Sequence, residues 1–496
     1  MGANDLKENR QLPDRIDKPM PNVSFDLERI PVKPRIGLLT AISFVVGSII
    51  GSGIFISPKG ALVNSGSVGL SLVIWAASGV LTMLLSLTYA ELGVMLPKSG
   101  GDYTIVKTGI GDIPAFLISW TATVVTNSGS RTVLALVFAD YVCAPIFPCG
   151  APNSIRKSMA AVQLLLLAIT NTISVRLVSS LQNFFTLAKV LALICITTGG
   201  VVYLAQNGGR NLENSFDDST NDVTSISLAI YSCMWAYGGY PNLNEIAEEI
   251  IEPKKNIPRA LIISITLITC IYLTTNISYF AVLPKDVFLS SSAVAFTWGD
   301  KMLGSASILI PISVMCSVHG ASNGGFFSDV RVRFAAARTG HLPEVLSFLH
   351  HKSRIPLVSL VLNTFLSLVL LIPGDISELI NLVGFVGFLV QGLTMISYLR
   401  LRYQRRNIPK NPEDFRIPLF VPILALAICV FMLVSPFISK PRIEFLYGAG
   451  FILSGLLLYF PFVYFQFRIP GCDKFTTFTQ LCLEVCPTIL DKDLKI

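Results

Sequence analysis

The chain has 496 residues, of which 52% are hydrophobic and only 14% charged. A soluble protein of this size carries about a quarter charged residues to cover its surface, so a water-exposed globule is excluded and lipid is the natural solvent. The formal charge of +7 does not point to nucleic acid, because the basic residues lie in short gaps between apolar runs, where they set membrane orientation.

Residues 1–35 are polar and contain proline. They read as a disordered tail rather than a cleavable signal peptide, which leaves insertion to the first apolar run. Apolar stretches of roughly 18–25 residues are long enough to cross a bilayer as helices. Such stretches lie near 36–58, 69–95, 113–142, 157–176, 182–205, 224–250, 257–282, 304–335, 356–373, 376–400, 416–437 and 443–466. The expectation is an all-α membrane protein with about twelve spans, its transport domain over 36–466 and its tail over 467–496. Within that tail, residues 471–486 are too short to span and of mixed polarity, which predicts an amphipathic helix on the cytoplasmic interface.

Loop charge sets the orientation. With the N-terminus inside, the cytoplasmic segments hold Lys7, Arg10, Arg15, Lys254, Lys255, Arg259 and the run Arg400, Arg402, Arg405, Arg406. The opposite loops carry scattered charges such as Lys59, Arg210 and Lys440. Both termini are therefore expected in the cytosol. The ten cysteines show no CxxC or Cys/His ligand spacing, so neither a metal nor another cofactor is expected. Of the four histidines only His319 falls inside a span, which argues against a membrane enzyme, and no repeated polar rings mark a channel.

Two spans look broken. The first reads Gly47-Ser48-Ile49-Ile50-Gly51-Ser52-Gly53, three glycines in seven residues, each costing about 1 kcal/mol in a helix relative to alanine. Gly47 and Gly51 alone would also suit close helix packing; Gly53 favours a break. The sixth reads Trp235-Ala236-Tyr237-Gly238-Gly239-Tyr240-Pro241, and proline cannot continue an ideal helix. A simple kink is the competing reading. Breaks in the first and sixth spans are where an inverted repeat of five helices plus five, the leucine-transporter-like arrangement, would place them. The freed amides at Ser52 and Gly53 suit a carboxylate. Carbonyls around Ser48 and Ile49, and near Trp235, suit an ammonium. An α-amino acid carries both groups on one carbon.

The segments VGSIIGSGIFISPKG (46–60), LTYAELG (87–93), KSGGDYT (98–104), NEIAEEI (244–250) and ARTGHLPEVLS (337–347) resemble the light chains of heteromeric amino acid transporters. These belong to the amino acid–polyamine–organocation superfamily. The similarity runs from about residue 36 to 487, and FISKPRIEFLYGAGFILSGLLLYF (437–460) most resembles the branch containing the cystine/dibasic amino acid exchanger. The resemblance implies obligatory exchange at the plasma membrane and a disulfide to a single-span glycoprotein heavy chain. Cys149 fits the bridging position; a Cys143–Cys149 bond or two free thiols are the alternatives.

The substrate site is thus expected at Ser48 to Gly53, Trp235, Ala236 and Gly238, and the resemblance implies that Trp235 is the gate that closes over substrate from outside; an ordinary packing aromatic is the alternative. Lys189 stands where related transporters have a sodium site, so its ammonium would replace the ion; snorkelling to the interface is the alternative. Gly238 occupies the place of an acid in the dibasic branch, which favours neutral or aromatic substrates. Pro241 stands where the large-neutral branch usually has asparagine. Arg131 either binds an acidic side chain, although the arginine of the cystine/glutamate branch aligns nearer Asn127, or hydrogen-bonds carbonyls of its own bundle. Asp329 and Arg333, four apart, are expected to form a local ion pair. Glu91 reads as a buried strut, and Glu248 with Glu249 as cytoplasmic gate contacts. Beside the neutral exchanger stand two alternatives: exchange of cystine, dibasic or acidic amino acids, and a solo proton-coupled transporter.

Overall fold

The computed structural model describes residues 36–96, 101–147, 150–173, 175–245, 250–351, 355–407, 415–438, 443–467 and 472–486. They form a helical protein whose one small sheet pairs Leu349–His350 antiparallel with Val485–Cys486. The chain opens with α1 (Leu38–Ile49), α2 (Gly53–Ser65), α3 (Val68–Met95) and α4 (Gly101–Gly109). Next, α5 (Asp112–Thr121) runs through a π-helical stretch, Ala122–Thr126, into α6 (Asn127–Cys143). Then come α7 (Asn153–Ile173), α8 (Val175–Asn207), α9 (Val223–Ala236), α10 (Asn242–Glu245) and α11 (Pro253–Val282). After α12 (Lys285–Ser290) and α13 (Val294–Leu303), α14 (Leu309–Arg338), α15 (Leu357–Leu371) and α16 (Ile376–Gln404) follow. The last are α17 (Phe420–Val434), α18 (Ile443–Leu458) and α19 (Cys472–Leu483).

Local chemistry sets many of these ends. Ile50 leaves helical geometry before Gly51, and α2 restarts at Gly53 with its axis bent 50° from α1. Gly66, at φ +79°, closes α2 in the left-handed conformation that only glycine adopts cheaply. Asp222 caps α9 by accepting from the Ser225 amide at 3.0 Å, and Asp375 caps α16 by accepting from Ser377 at 2.8 Å. α11 starts on Pro253, where the missing amide costs nothing.

Among the described residues, seven helices are long and apolar enough to cross a membrane, or eight if the bent pair α1–α2 counts as one. Val223–Ala236 and Leu357–Leu371 are shorter apolar helices. The expected runs near 113–142 and 157–176 are also helical, as α5–α6 and α7. Their outward faces are apolar: Leu165, Leu166 and Ile169 on α7 and Val201 on α8 are exposed, which suits contact with lipid tails. α11 packs against α1, α3 and α8, α2 against α9, and α14 against α6 and α8. Behind α1 and α9 the buried rings of Trp75, Tyr237 and Tyr272 stack edge-on and tilted, with centroids 5.2–5.9 Å apart.

In the tail, α19 is followed by Glu484 at φ +48° and the strand Val485–Cys486. The expected helix therefore stops before residue 486.

Candidate substrate site

The two interrupted helices meet. A Cβ on Gly53 would lie 2.4 Å from the Ala236 Cα, and one on Gly239 would lie 2.9 Å from the Ser48 carbonyl oxygen. Such separations are shorter than van der Waals contact, so only glycine lets the two backbones approach this closely. Gly239 also has φ +110°. Past it, Pro241 closes the turn before α10, the Asn244 amide bonding to its carbonyl at 3.0 Å.

A cavity of about 760 Å³ opens at this junction. Ser48, Ile49, Gly51, Ser52, Gly53, Trp235 and Gly238 of the expected site all line it. Ile50 and Ala236 do not. The Ile50 side chain is 2% exposed in the core, and Ala236 is the surface against which Gly53 packs. The cavity extends past Gly47 to Thr40, Ser43 and Phe44, towards the start of α1, and across to Asn127, Arg131 and Gln391.

Several of these lining residues carry backbone groups without partners. α2 begins without a side-chain cap at Ser52, and among the described residues no hydrogen bond engages the amides of Gly51, Ser52 or Gly53. They are the orphan donors of a helix N-terminus and carry its positive dipole end. At the end of α1 the three freed carbonyls differ. Gly47 accepts from Lys189 Nζ at 3.1 Å, while Ile49 is 3.0 Å from the Tyr272 hydroxyl. That hydroxyl also lies 3.0 Å from the Ala236 carbonyl, so one tyrosine ties the two breaks together. This corrects the expectation that Ile49 is an open acceptor; the Ser48 carbonyl has no hydrogen bond among the described residues. Tyr272 escaped the sequence reading. Its only signal was a polar-tipped ring inside an apolar run.

Lys189 is 1% exposed and has reached the end of α1 rather than an interface. Its ammonium sits where a cation compensates carbonyls that the break strips of their helical partners. Trp235 is half-buried on the cavity wall.

Arg131 lines the cavity but is already partnered. Its Nε donates to Asp329 at 3.0 Å, and its Nη1 to the carbonyls of Ala321 and Ser322 at 3.3 and 3.1 Å. The expected Asp329–Arg333 pair is therefore replaced by a long-range one. Arg333 turns instead to the Thr123 carbonyl and Asn363 Oδ1, at 3.0 and 2.8 Å.

Several sequence motifs are joined by hydrogen bonds away from the cavity lining. Tyr89 donates to Asp102, Thr394 donates to the same carboxylate at 3.0 Å, and Asn244 donates to the Tyr89 carbonyl at 2.8 Å. Tyr103 joins Thr339 at 2.7 Å and His341 at 2.9 Å. Burial, and then the Lys107 charge, hold His341 below the ordinary imidazole range against the pull of Asp112. Glu91 is 2% exposed and accepts from the Ile417 amide at 2.8 Å, with Arg402 at 3.4 Å, as a buried strut should. Glu248, Glu249 and Cys149 lie outside the described residues.

Residues 36–462 match the profile of the amino acid permease family. The chain is 40% identical to the b(0,+)-type amino acid transporter 1 of Mus musculus over 475 residues, 95% of this chain and 96% of that one. It is 41% identical to the large neutral amino acids transporter small subunit 2 of Homo sapiens over 472 residues, 93% of this chain and 87% of that one. With a profile match over most of its length and relatives at this identity, the chain belongs to the amino acid permease family, within the transporter light-chain group that its motifs resemble.

Proposed function

We propose that the protein exchanges neutral L-amino acids, large and aromatic ones included, one for one and without sodium across the plasma membrane. It does so by alternating access, as the light subunit of a heterodimer linked through Cys149 to a single-span glycoprotein. The observation that carries the reading is the junction of the two breaks. Gly51, Ser52 and Gly53, whose amides are unengaged among the described residues, line the same cavity as Ser48, whose carbonyl is likewise unengaged. The amides take the substrate carboxylate and the carbonyl its ammonium, so the zwitterion is held by dipoles of opposite sign.

Other features support the finer parts. Among the described residues the cavity lining contains no Asp or Glu to meet a cationic side chain, which favours neutral substrates. The Homo sapiens relative is a transporter small subunit named for large neutral amino acids. Lys189, bonded at the break, supplies a fixed cation in place of sodium. About twelve spans in a five-plus-five inverted repeat, with both termini cytosolic, would put the mouth near Thr40 and Phe44 on the inside. A second cavity of about 490 Å³ lies beyond the break, between Lys59 on α2 and Asp140 on α6. On the wall of this second cavity, Tyr141 donates to the Phe55 carbonyl at 3.2 Å, and Lys59 reaches the Ser291 carbonyl at 2.7 Å. Breaking these contacts while closing the inner mouth, with Trp235 folding over substrate, gives the outward-facing state. An empty site would reorient poorly, which makes transport an exchange.

Uptake of a panel of labelled amino acids by the purified protein in liposomes tests this. Uptake of leucine and phenylalanine should require internal amino acid and ignore sodium. Uptake of equal size into empty liposomes, or uptake driven by a proton gradient, would replace exchange with the solo-transporter reading.

A further inference from the structure

Across the cavity from the helix breaks, buried charge is out of balance. Arg131 is 8% exposed on the cavity wall, with Nε and Nη1 bound as described. Its Nη2 lies over Gly325, where a Cβ would fall 2.0 Å away, and has no hydrogen-bond partner among the described residues. Gly325 itself borders the cavity, so the free edge of the guanidinium does too. One turn beyond Asp329, Arg333 is 1% exposed, and its Nε and Nη1 have no partner among the described residues.

Asp329 is the one carboxylate paired with this group among the described residues. Two guanidinium cations against one carboxylate leave one positive charge uncompensated. A guanidinium does not shed its proton to escape burial, and an unbalanced ion far from water is costly. A zwitterionic substrate held at the breaks adds no net charge, and among the described residues no Asp or Glu lines the cavity.

We propose that the free Nη2 edge of Arg131 is a second subsite of the cavity, which takes a monovalent anion beside the substrate's zwitterionic backbone. The proposal rests on the exchange reading of this cavity and deepens it. One chemistry allows two sources: a halide bound together with a neutral substrate, or the side-chain carboxylate of an acidic one. Arg131 makes the contact. Asp329 and the Ala321 and Ser322 carbonyls hold the guanidinium in place, Gly325 leaves room for it, and Arg333 supplies the surplus charge from behind.

The test uses full-length wild-type protein in liposomes loaded with unlabelled leucine. Labelled leucine uptake is measured in chloride and in gluconate, and labelled glutamate uptake in gluconate. The thermal unfolding midpoint of the purified protein is followed in the same salts, with and without glutamate. For a halide, leucine uptake falls at least about fivefold in gluconate and returns saturably with chloride. For a side-chain carboxylate, glutamate exchanges for leucine and chloride competes with it. In either case the anion raises the unfolding midpoint, and Arg333→Gln weakens the apparent anion affinity at least about fivefold. Leucine exchange with neither chloride dependence nor glutamate uptake overturns the anion subsite and leaves the exchange reading standing. No leucine exchange removes that reading. The thermal measurement still judges the subsite, since a midpoint indifferent to both anions means that there is none.

Discussion

The two walls of the candidate substrate cavity are made of different material. Along α1–α2 and α9 it is backbone, from the Ser48 carbonyl to the Gly51, Ser52 and Gly53 amides. Across it, on α6 and α16, the polar groups are side chains such as Asn127, Arg131 and Gln391. Peptide dipoles are fixed in direction and do not titrate, so they suit the carboxylate and ammonium that every amino acid shares. Side chains can be exchanged one at a time without unmaking a helix. They suit the part of the substrate that varies. In the proposed exchanger, recognition of the class and choice within it would thus be separated in space.

The comparison can be broken most severely at Gly53. Gly53→Val places branched carbons into Ala236, an overpacking that costs about 1–3 kcal/mol and pries the breaks apart. Exchange should fall more than about a hundredfold; near-normal uptake would mean that the close approach does not build the site. Trp235→Ala should lower uptake more than about tenfold with surface assembly intact, and normal flux would remove Trp235 as the gate. Lys189→Ala should cut turnover about tenfold or more, about 1.5–3 kcal/mol for a lost charged hydrogen bond. Unchanged kinetics would make it a structural lysine. Tyr272→Phe, which unties Ile49 from Ala236, should cost about 1 kcal/mol, a two- to fivefold loss of uptake. Cys149→Ser should remove a heavier reducible band from a non-reducing gel while liposome flux stays as it was. A band that persists would assign the bridge to another residue.

What could be seen in the sequence divides along the same line. The backbone wall was legible because its causes are local: Gly51, Gly53, Gly238, Gly239 and Pro241 each limit a helix by their own chemistry. Lys189 was legible because an ammonium inside an apolar run is expensive wherever it points. The side-chain wall was not. Asp329 has Arg333 four residues away on its own helix, yet it pairs with Arg131, 198 residues distant in sequence. Packing of α14 against α6 overrides the i,i+4 preference, which is worth only about 0.2–0.5 kcal/mol. Ile50 and Ala236 were placed on the cavity by their neighbours in sequence, whereas the bend turns both into the core. Tyr272 joins two breaks that come together only in the fold.

The central claim is that opposed peptide dipoles hold both charged groups of the substrate. Its most direct test is competition against labelled leucine uptake by leucine, leucine methyl ester and N-acetyl-leucine. Leucine alone should compete, because each derivative removes the charge that one side of the junction was built to meet. If either blocked compound competes as well as leucine, the corresponding dipole does not bind substrate and the account of the site is wrong.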